Sequence, residues 1–377
     1  MQATVFLLLM FMWIDDIKTA QGLDPDPESI VQPVNIHSSD LAHLLKDGMK
    51  AWRFDIAARR CGSARVNLNP FFMSLGDYVV VYGLDANGQA IGVERIGGKG
   101  WRGQGEVNSR RLWAEQIVVE LHATSPSSHF SLTYVHYADC YIDHSKVSKP
   151  DTYCALADWK NMACFSSVPK IYELGPSVFR LRVVRNGTAG SCTAWKSGRE
   201  GRFVSNNHCL PDQTVVSTGE LDYKYDTTTC DGHTGSAAAV YNADTLISTD
   251  ATLDFTVFTV KEDLSSVKCL VRSTTMPTTS DRILIIHHPD GDYKKISFKS
   301  TTDVGGFCII QATCRNNQTT CYNCDTSEGS SGSPVIYKAS SGVLSVFALH
   351  FGHYTGPTEC PNYGTKIQYV KDLGTCP

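Results

Sequence analysis

The 377-residue chain is 42% hydrophobic and 19% charged, enough apolar material for the cores of two ordinary domains, and this excludes disorder for its bulk. Lysine and arginine number 34 against 38 acidic residues, a formal charge of −4, so no basic excess gathers a phosphate backbone or an acidic bilayer; the balance argues against nucleic acid and membrane as partners. Fourteen cysteines, an even number spread along the chain, would be a liability in a reducing cytosol and suit a secreted, extracellular protein.

The N-terminus agrees with secretion. Ala3 to Ile14 is an apolar run of signal-peptide length, with cleavage expected near Ala20-Gln21-Gly22, so residues 1–22 read as a signal peptide. Leu23-Asp24-Pro25-Asp26-Pro27 follows as a solvated linker, because its prolines deny both helix and sheet ladders. Asp40 to about Ala58 reads as one amphipathic helix with Leu41, Leu44 and Leu45 on a face, interrupted by Gly48. Antiparallel strands are then expected at Tyr78–Tyr82, Gln116–Leu121 and Phe130–Val135, with a turn at Ala86-Asn87-Gly88. Residues 23–150 therefore form a β-rich N-terminal domain, ending at the polar stretch Asp143–Asp151.

Downstream, short strands recur at Val178–Val184, Thr252–Val260, Ile283–Ile286, Pro334–Tyr337 and Val343–Leu349, and only Gln368–Leu373 reads as a short helix. Residues 151–377 thus suit an all-β barrel or sandwich domain.

Three segments of this second part carry chemistry in the order His, Asp, Ser: Asn207-His208-Cys209, Leu253-Asp254-Phe255 and Gly329-Ser330-Ser331-Gly332-Ser333-Pro334. A serine hydroxyl attacks at neutral pH only when an imidazole takes its proton, and the imidazole needs a carboxylate on its other nitrogen to fix the tautomer. Gly329 lets the backbone turn so that its own amide and that of Ser331 can point at one oxyanion. Each segment alone has a plain structural alternative, a satisfied histidine, a turn acid or a flexible loop; their order, each beside an apolar strand, favours the catalytic reading.

On these residues the sequence resembles the trypsin-like serine proteases, nearest the secreted lysyl and glutamyl endopeptidase-like branches. Ile286-His287-His288-Pro289-Asp290-Gly291-Asp292-Tyr293-Lys294-Lys295-Ile296-Ser297 and Leu349-His350-Phe351-Gly352 extend the likeness. The resemblance implies a double six-stranded antiparallel β-barrel preceded by the smaller β-rich domain. It implies His208 as general base, Asp254 as orienting acid and Ser331 as nucleophile acting on protein or peptide substrates, with Gly329 and Ser331 as the oxyanion hole, no cofactor and no metal. Two departures stand out. Ser330 occupies the place of the aspartate that pairs with a newly cut N-terminus in animal trypsins, and Cys360-Pro361-Asn362-Tyr363-Gly364 lacks the acid to which the lysyl branch owes its preference. For the primary specificity pocket, Asp325 offers a charge complementary to Arg or Lys, whereas Thr326 with His350 resembles the pair that binds an acidic side chain; the sign stays open, leaning to basic.

The resemblance also implies three disulfides, Cys192–Cys209 beside the base, Cys154–Cys360 and Cys164–Cys230. Cys61 and Cys140 are a pair within the first domain, and the other six cannot be paired from sequence. Cys308, Cys314, Cys321 and Cys324 could form a zinc site, with disulfides favoured in a secreted chain. His287-His288 reads as structural, and His122, His129 and His136, taken to recur on one sheet, lack the carboxylate of a metal motif. Asn186 and Asn317 head N-glycosylation triplets. The first domain is read as a pro-domain or a binding module, with Trp101 and Trp113 as candidate carbohydrate contacts.

Overall fold

The computed structural model describes residues 29–38, 44–46, 49–57, 61–140 apart from 101, 102 and 104, and 158–376 apart from 280, 301, 302, 304, 312, 313, 315, 340, 341 and 354–360. The expected signal peptide, the domain boundary near 150, Trp101 and the Cys154–Cys360 pair lie outside these residues.

The first domain is two antiparallel sheets on one core. A four-stranded sheet runs Ile30–His37, His129–Cys140, Cys61–Phe72, Val107–Asn108; a five-stranded sheet runs Leu44–Lys46, Met49–Ala57, Gln116–Ala123, Tyr78–Leu84, Ala90–Gly97. Val66, Leu68 and Phe71 of one meet Val79, Val81, Ile117 and Val119 of the other in an apolar interior. The helix expected over Asp40–Ala58 is corrected to strand. Met49–Ala57 pairs with Gln116–Ala123 over eight residues, and Ile56 is buried between exposed Asp55 and Ala57. That alternation has period two, which the leucine spacing upstream obscured. The three histidines do not share a sheet either: His122 lies in the five-stranded sheet, His129 and His136 in the four-stranded one.

Several strands of the second part, among them Val178–Arg185, Thr188–Lys196 and Ile283–His287, are buried on both faces, whereas Ala239–Asp250 is largely half-exposed. Six strands close into a barrel in the order Val178–Arg185, Thr188–Lys196, Arg202–Ser205, Phe255–Val260, Ala239–Asp250, Glu220–Tyr223. Phe179, Leu181 and Val183 point into this barrel while Val178 points out toward its neighbour, as a two-residue period requires. The second sheet has seven strands: Lys160–Asn161, Lys295–Ser297, Ile283–His287, Pro334–Lys338, Leu344–His353, Asn362–Lys366, Thr319–Tyr322. Bridges Arg282–Ile309 and Ile310–Tyr322 tie its distant strands, so the expected second six-stranded barrel is a seven-stranded sheet drawn round on itself. Ile283 and Ile285 fill it, whereas Leu284 and Ile286 enter a core shared with Val178, Trp195, Val204 and Val257 of the first barrel. The cleft between barrels is therefore floored by a common apolar layer.

Two further boundaries differ from expectation. Residues 251–254 are a turn and the strand starts at Phe255, and Gln368–Leu373 is not a helix beyond the single 3-10 turn Ile367–Tyr369. Asn186 and Gly187 both have positive φ (51° and 76°) in the two-residue hairpin joining the first two barrel strands, the conformation Asn-Gly supplies at least cost. Asn186 and Asn317 are exposed.

Six disulfides join described residues: Cys61–Cys140, Cys164–Cys230, Cys192–Cys209, Cys269–Cys376, Cys308–Cys324 and Cys314–Cys321. The last two replace the alternative zinc reading.

The sandwich docks on the outer wall of the first barrel through buried charge. Arg111 Nε donates to both carboxylate oxygens of Glu220 at 2.9 and 3.0 Å, and Arg65 lies 3.6 Å from the same carboxylate and donates to the Thr218 carbonyl. Burial pushes the Glu220 carboxyl up, but Arg111, Arg65 and Arg182 outweigh it and hold the group well below the usual carboxylate range. His136 Nδ1 lies 3.1 Å from Arg111 Nη2, and burial together with Arg111 keeps this imidazole neutral, so its Nδ1 accepts the guanidinium proton. Asn108 adds a bond to the Ser217 carbonyl.

Candidate active site

His208 sits in the turn after the Arg202–Ser205 strand, where three ties fix its backbone. The Cys192–Cys209 disulfide fastens the next residue to the adjoining strand, Arg185 Nη1 donates to the His208 carbonyl at 3.2 Å, and Leu210 N–H closes the turn on Asn206. Asp254 meets it from the turn preceding Phe255–Val260. Its left-handed φ of 50° is tolerated by an aspartate, and Asn206 Nδ2 holds its carbonyl at 2.7 Å. The carboxylate grips His208 twice: Oδ1 accepts the backbone N–H at 2.9 Å and Oδ2 accepts Nδ1–H at 2.6 Å. With the proton fixed on Nδ1, Nε2 carries the lone pair that makes an imidazole a base. The two side chains are 23% and 13% exposed, so the pair opens to the cleft.

The turn carrying Ser331 is held by carbonyls bonded to the body of the protein. Glu328 O accepts from Asp290 N–H at 2.5 Å, Gly329 O from Thr193 Oγ1 at 2.9 Å, Ser330 O from Ser333 N–H at 3.1 Å, and Ser331 O from Thr193 N–H at 2.8 Å. In a trans peptide the N–H lies opposite the C=O, so fixing the carbonyls of Glu328 and Ser330 fixes the planes of the peptides that carry the Gly329 and Ser331 N–H groups. Gly329 (φ 83°) admits no side chain, because a Cβ there would stand 2.6 Å from the His288 carbonyl and 2.7 Å from Gly291 N.

Asp325, Thr326 and His350 are all buried. Asp325 follows the Cys308–Cys324 bridge, and its Oδ2 accepts the Asp158 N–H at 3.0 Å. Burial pushes the Asp158 carboxyl up, and this carboxyl also shares a hydrogen bond with Asp325, so two acidic groups meet ahead of the turn that carries Ser331. His350 is held by the Tyr322 hydroxyl at 2.8 Å from Nδ1, while its backbone exchanges hydrogen bonds with Gly332 and Ser333. Cys192, His208 and Cys209 place donor atoms within 4.8 Å of one another, but both sulfurs are spent in a disulfide and offer no thiolate.

Residues that sequence reasoning did not single out lie around the site: Thr193, Arg185 and Trp159. None has a local signature, since each acts across the fold on a partner distant in sequence.

A closed barrel carrying an imidazole–carboxylate pair, packed on a second curled sheet, with a glycine-flanked serine turn tied to Thr193 of that barrel, has the layout of the trypsin-like serine proteases. Residues 161–368, more than half of the chain, match the family described as lysyl endopeptidase, C-terminal domain, and the chain belongs to it. Secreted RxLR effector protein 73 of Plasmopara viticola is 29% identical over 228 residues, 58% of this chain and 54% of that protein, so the chain spans about half the length of this curated relative. Among solved structures, the inactive form of the Rv3671c protease of M. tuberculosis is similar at 15% identity and a TM-score of 0.40, over 59% of this chain and 93% of that one. A serine endoprotease from Yersinia pestis is similar at 15% identity and a TM-score of 0.41, over 54% and 63% respectively.

Proposed function

We propose that the protein is a secreted serine endopeptidase that cleaves peptide bonds through an acyl-enzyme intermediate. Ser331 Oγ attacks the carbonyl, His208 Nε2 takes the proton and returns it to the leaving amine, Asp254 stabilises the imidazolium, and the amides of Gly329 and Ser331 receive the oxyanion. The observation carrying this reading is the double grip of Asp254 on His208, at 2.9 and 2.6 Å, which a merely structural histidine would not need. The chemistry requires no cofactor or metal. The paired carboxyls of Asp325 and Asp158 and the family's description favour a basic side chain before the cleaved bond. The disulfides and the relative described as a secreted effector support an extracellular site of action.

Ser331→Ala should lower turnover by about four to six powers of ten with the fold intact. A fluorophosphonate probe and a random peptide library read by mass spectrometry test this together. Wild-type labelling at Ser331 and cleavage after Lys or Arg are expected; a chain that neither labels nor cleaves is a protease-like binding protein instead, and cleavage after Glu would assign the pocket to Thr326 and His350.

The sandwich is a companion docked on the barrel wall. Its loss would leave Glu220 without the two guanidinium partners, Arg65 and Arg111, that balance its buried charge. Mass spectrometry and gel filtration of secreted material test this: co-elution of both parts is expected, and an isolated fragment beginning near residue 150 would mark a discarded pro-domain.

A further inference from the structure

Beneath the nucleophile turn lies a buried row of polar groups that the reaction itself does not use. His287 ends the Ile283–His287 strand and has no exposed surface, like Ser330 and Ser297. Its Nδ1 lies 2.8 Å from Ser330 Oγ and its Nε2 lies 3.0 Å from Ser297 Oγ. Ser297 Oγ donates to the Asp325 carbonyl at 2.7 Å, and Ser330 Oγ accepts the Ser327 N–H at 3.2 Å.

These contacts fix every proton. A carbonyl only accepts, so the Ser297 hydroxyl proton goes to Asp325, and Ser297 Oγ must accept from His287 Nε2–H. The imidazole is then the Nε2–H tautomer, its Nδ1 is an acceptor, and Ser330 donates to it. The row reads in one direction from Ser327 N–H through Ser330, His287 and Ser297 to the Asp325 backbone. It crosses from the residue beside the nucleophile to the residue at the acidic end of the site. Trp159 closes the side of the ring edge-on, with centroids 5.6 Å apart, and the charged or titratable groups that bear on His287 are His350 and Lys295. Burial, reinforced by those two groups, keeps His287 neutral far into the acid range.

We propose that His287 is a positioning residue that, through Ser330, holds the nucleophile turn in the shape presenting the Gly329 and Ser331 amides. The inference rests on the protease reading of Ser331. Ser330 stands where a carboxylate would need a cation, and a neutral imidazole supplies the partner from within the fold. The Ser330 hydroxyl is thus held by uncharged hydrogen bonds from within the fold.

The test uses the full chain and compares Ser330→Ala, His287→Leu and His287→Asn with wild type, reading kcat, KM and the rate of fluorophosphonate labelling at Ser331. Asparagine places an acceptor oxygen near the site of Nδ1, whereas leucine fills the space without one. Ser330→Ala and His287→Leu should lower kcat and the labelling rate about 10- to 100-fold with KM changed less than about threefold, as for a catalytic group displaced by a fraction of an ångström. His287→Asn should recover most of the loss. Should His287→Leu fail to fold, Ser330→Ala, which removes one oxygen, carries the test. Labelling of Ser330→Ala within about twofold of wild type overturns the inference, as does equal impairment of the leucine and asparagine variants, which would reduce His287 to packing. If wild type itself leaves Ser331 unlabelled, the protease reading falls and takes this one with it; if wild type labels and Ser330→Ala labels equally, only the positioning role falls.

Discussion

The sandwich and the barrels downstream are both made of antiparallel strands, yet they are held together by different means. The sandwich has an apolar interior and one described disulfide, Cys61–Cys140, clasping neighbouring strands; of its buried charges, Arg65 and Arg111 face the barrel, while Asp77 is bonded within the sandwich. The barrels carry five described disulfides, and buried Thr193, His287, Ser297, Ser330 and Ser333 gather under one turn. Burial of apolar side chains holds most of a sandwich with a continuous interior. The Ser331 turn buries little apolar area, so directed hydrogen bonds hold it instead.

The contrast can be broken most forcefully at the joint. Glu220→Ala leaves Arg65 and Arg111 buried against no anion and should cost about 3–5 kcal/mol of docking stability, seen in calorimetry as one unfolding transition splitting into two. Next comes Gly329→Ala, whose Cβ would displace the His288 carbonyl and the turn; kcat should fall by about 10²–10³ while the melting of the sandwich is unmoved. Removing Cys192–Cys209 by a double serine substitution should cost about 3 kcal/mol and reduce kcat further than that loss accounts for, because the bridge adjoins His208. Equal fractional losses of activity and folded protein would show that the bridge serves stability alone.

The smallest effect sharpens the other side. Asp77 lies in the sandwich, where burial pushes its carboxyl up but hydrogen bonds from Ser128, Thr124 and Ser125 prevail and bring it to about 2. A folded value below the unfolded one means that the stability it contributes is present above about pH 4 and is lost as pH falls toward 2. Asp77→Asn should lower sandwich stability by about 2 kcal/mol at pH 7 and flatten its dependence on pH between about 4 and 2, measured by denaturant melts, with kcat unchanged.

The residues of the proposed site stood out in the sequence because each carries a local context: Cys209 after His208, an apolar strand after Asp254, glycines around Ser331. Strands buried on both faces, such as Ile283–His287, also announced themselves as continuous apolar runs. The Asp40–Ala58 reading failed because three leucines at helical spacing outweighed the alternation in Phe54, Asp55 and Ile56 that the sheet obeys. Neither the Arg111–Glu220 joint, 109 residues apart, nor the His287–Ser330 bond, 43 apart, leaves a local trace, since an isolated arginine or histidine looks the same whether it faces water or a buried partner.

The joint also constrains how such a chain can be recombined. Arg65 and Arg111 come from one half and Glu220 from the other, so exchanging either half alone for a counterpart without the matching charges would entomb an unbalanced ion. Grafts intended to swap the leading module or the catalytic one should therefore carry the three residues as a set, and a shuffled library would be expected to return viable chimeras only where that electrostatic key and lock stay paired.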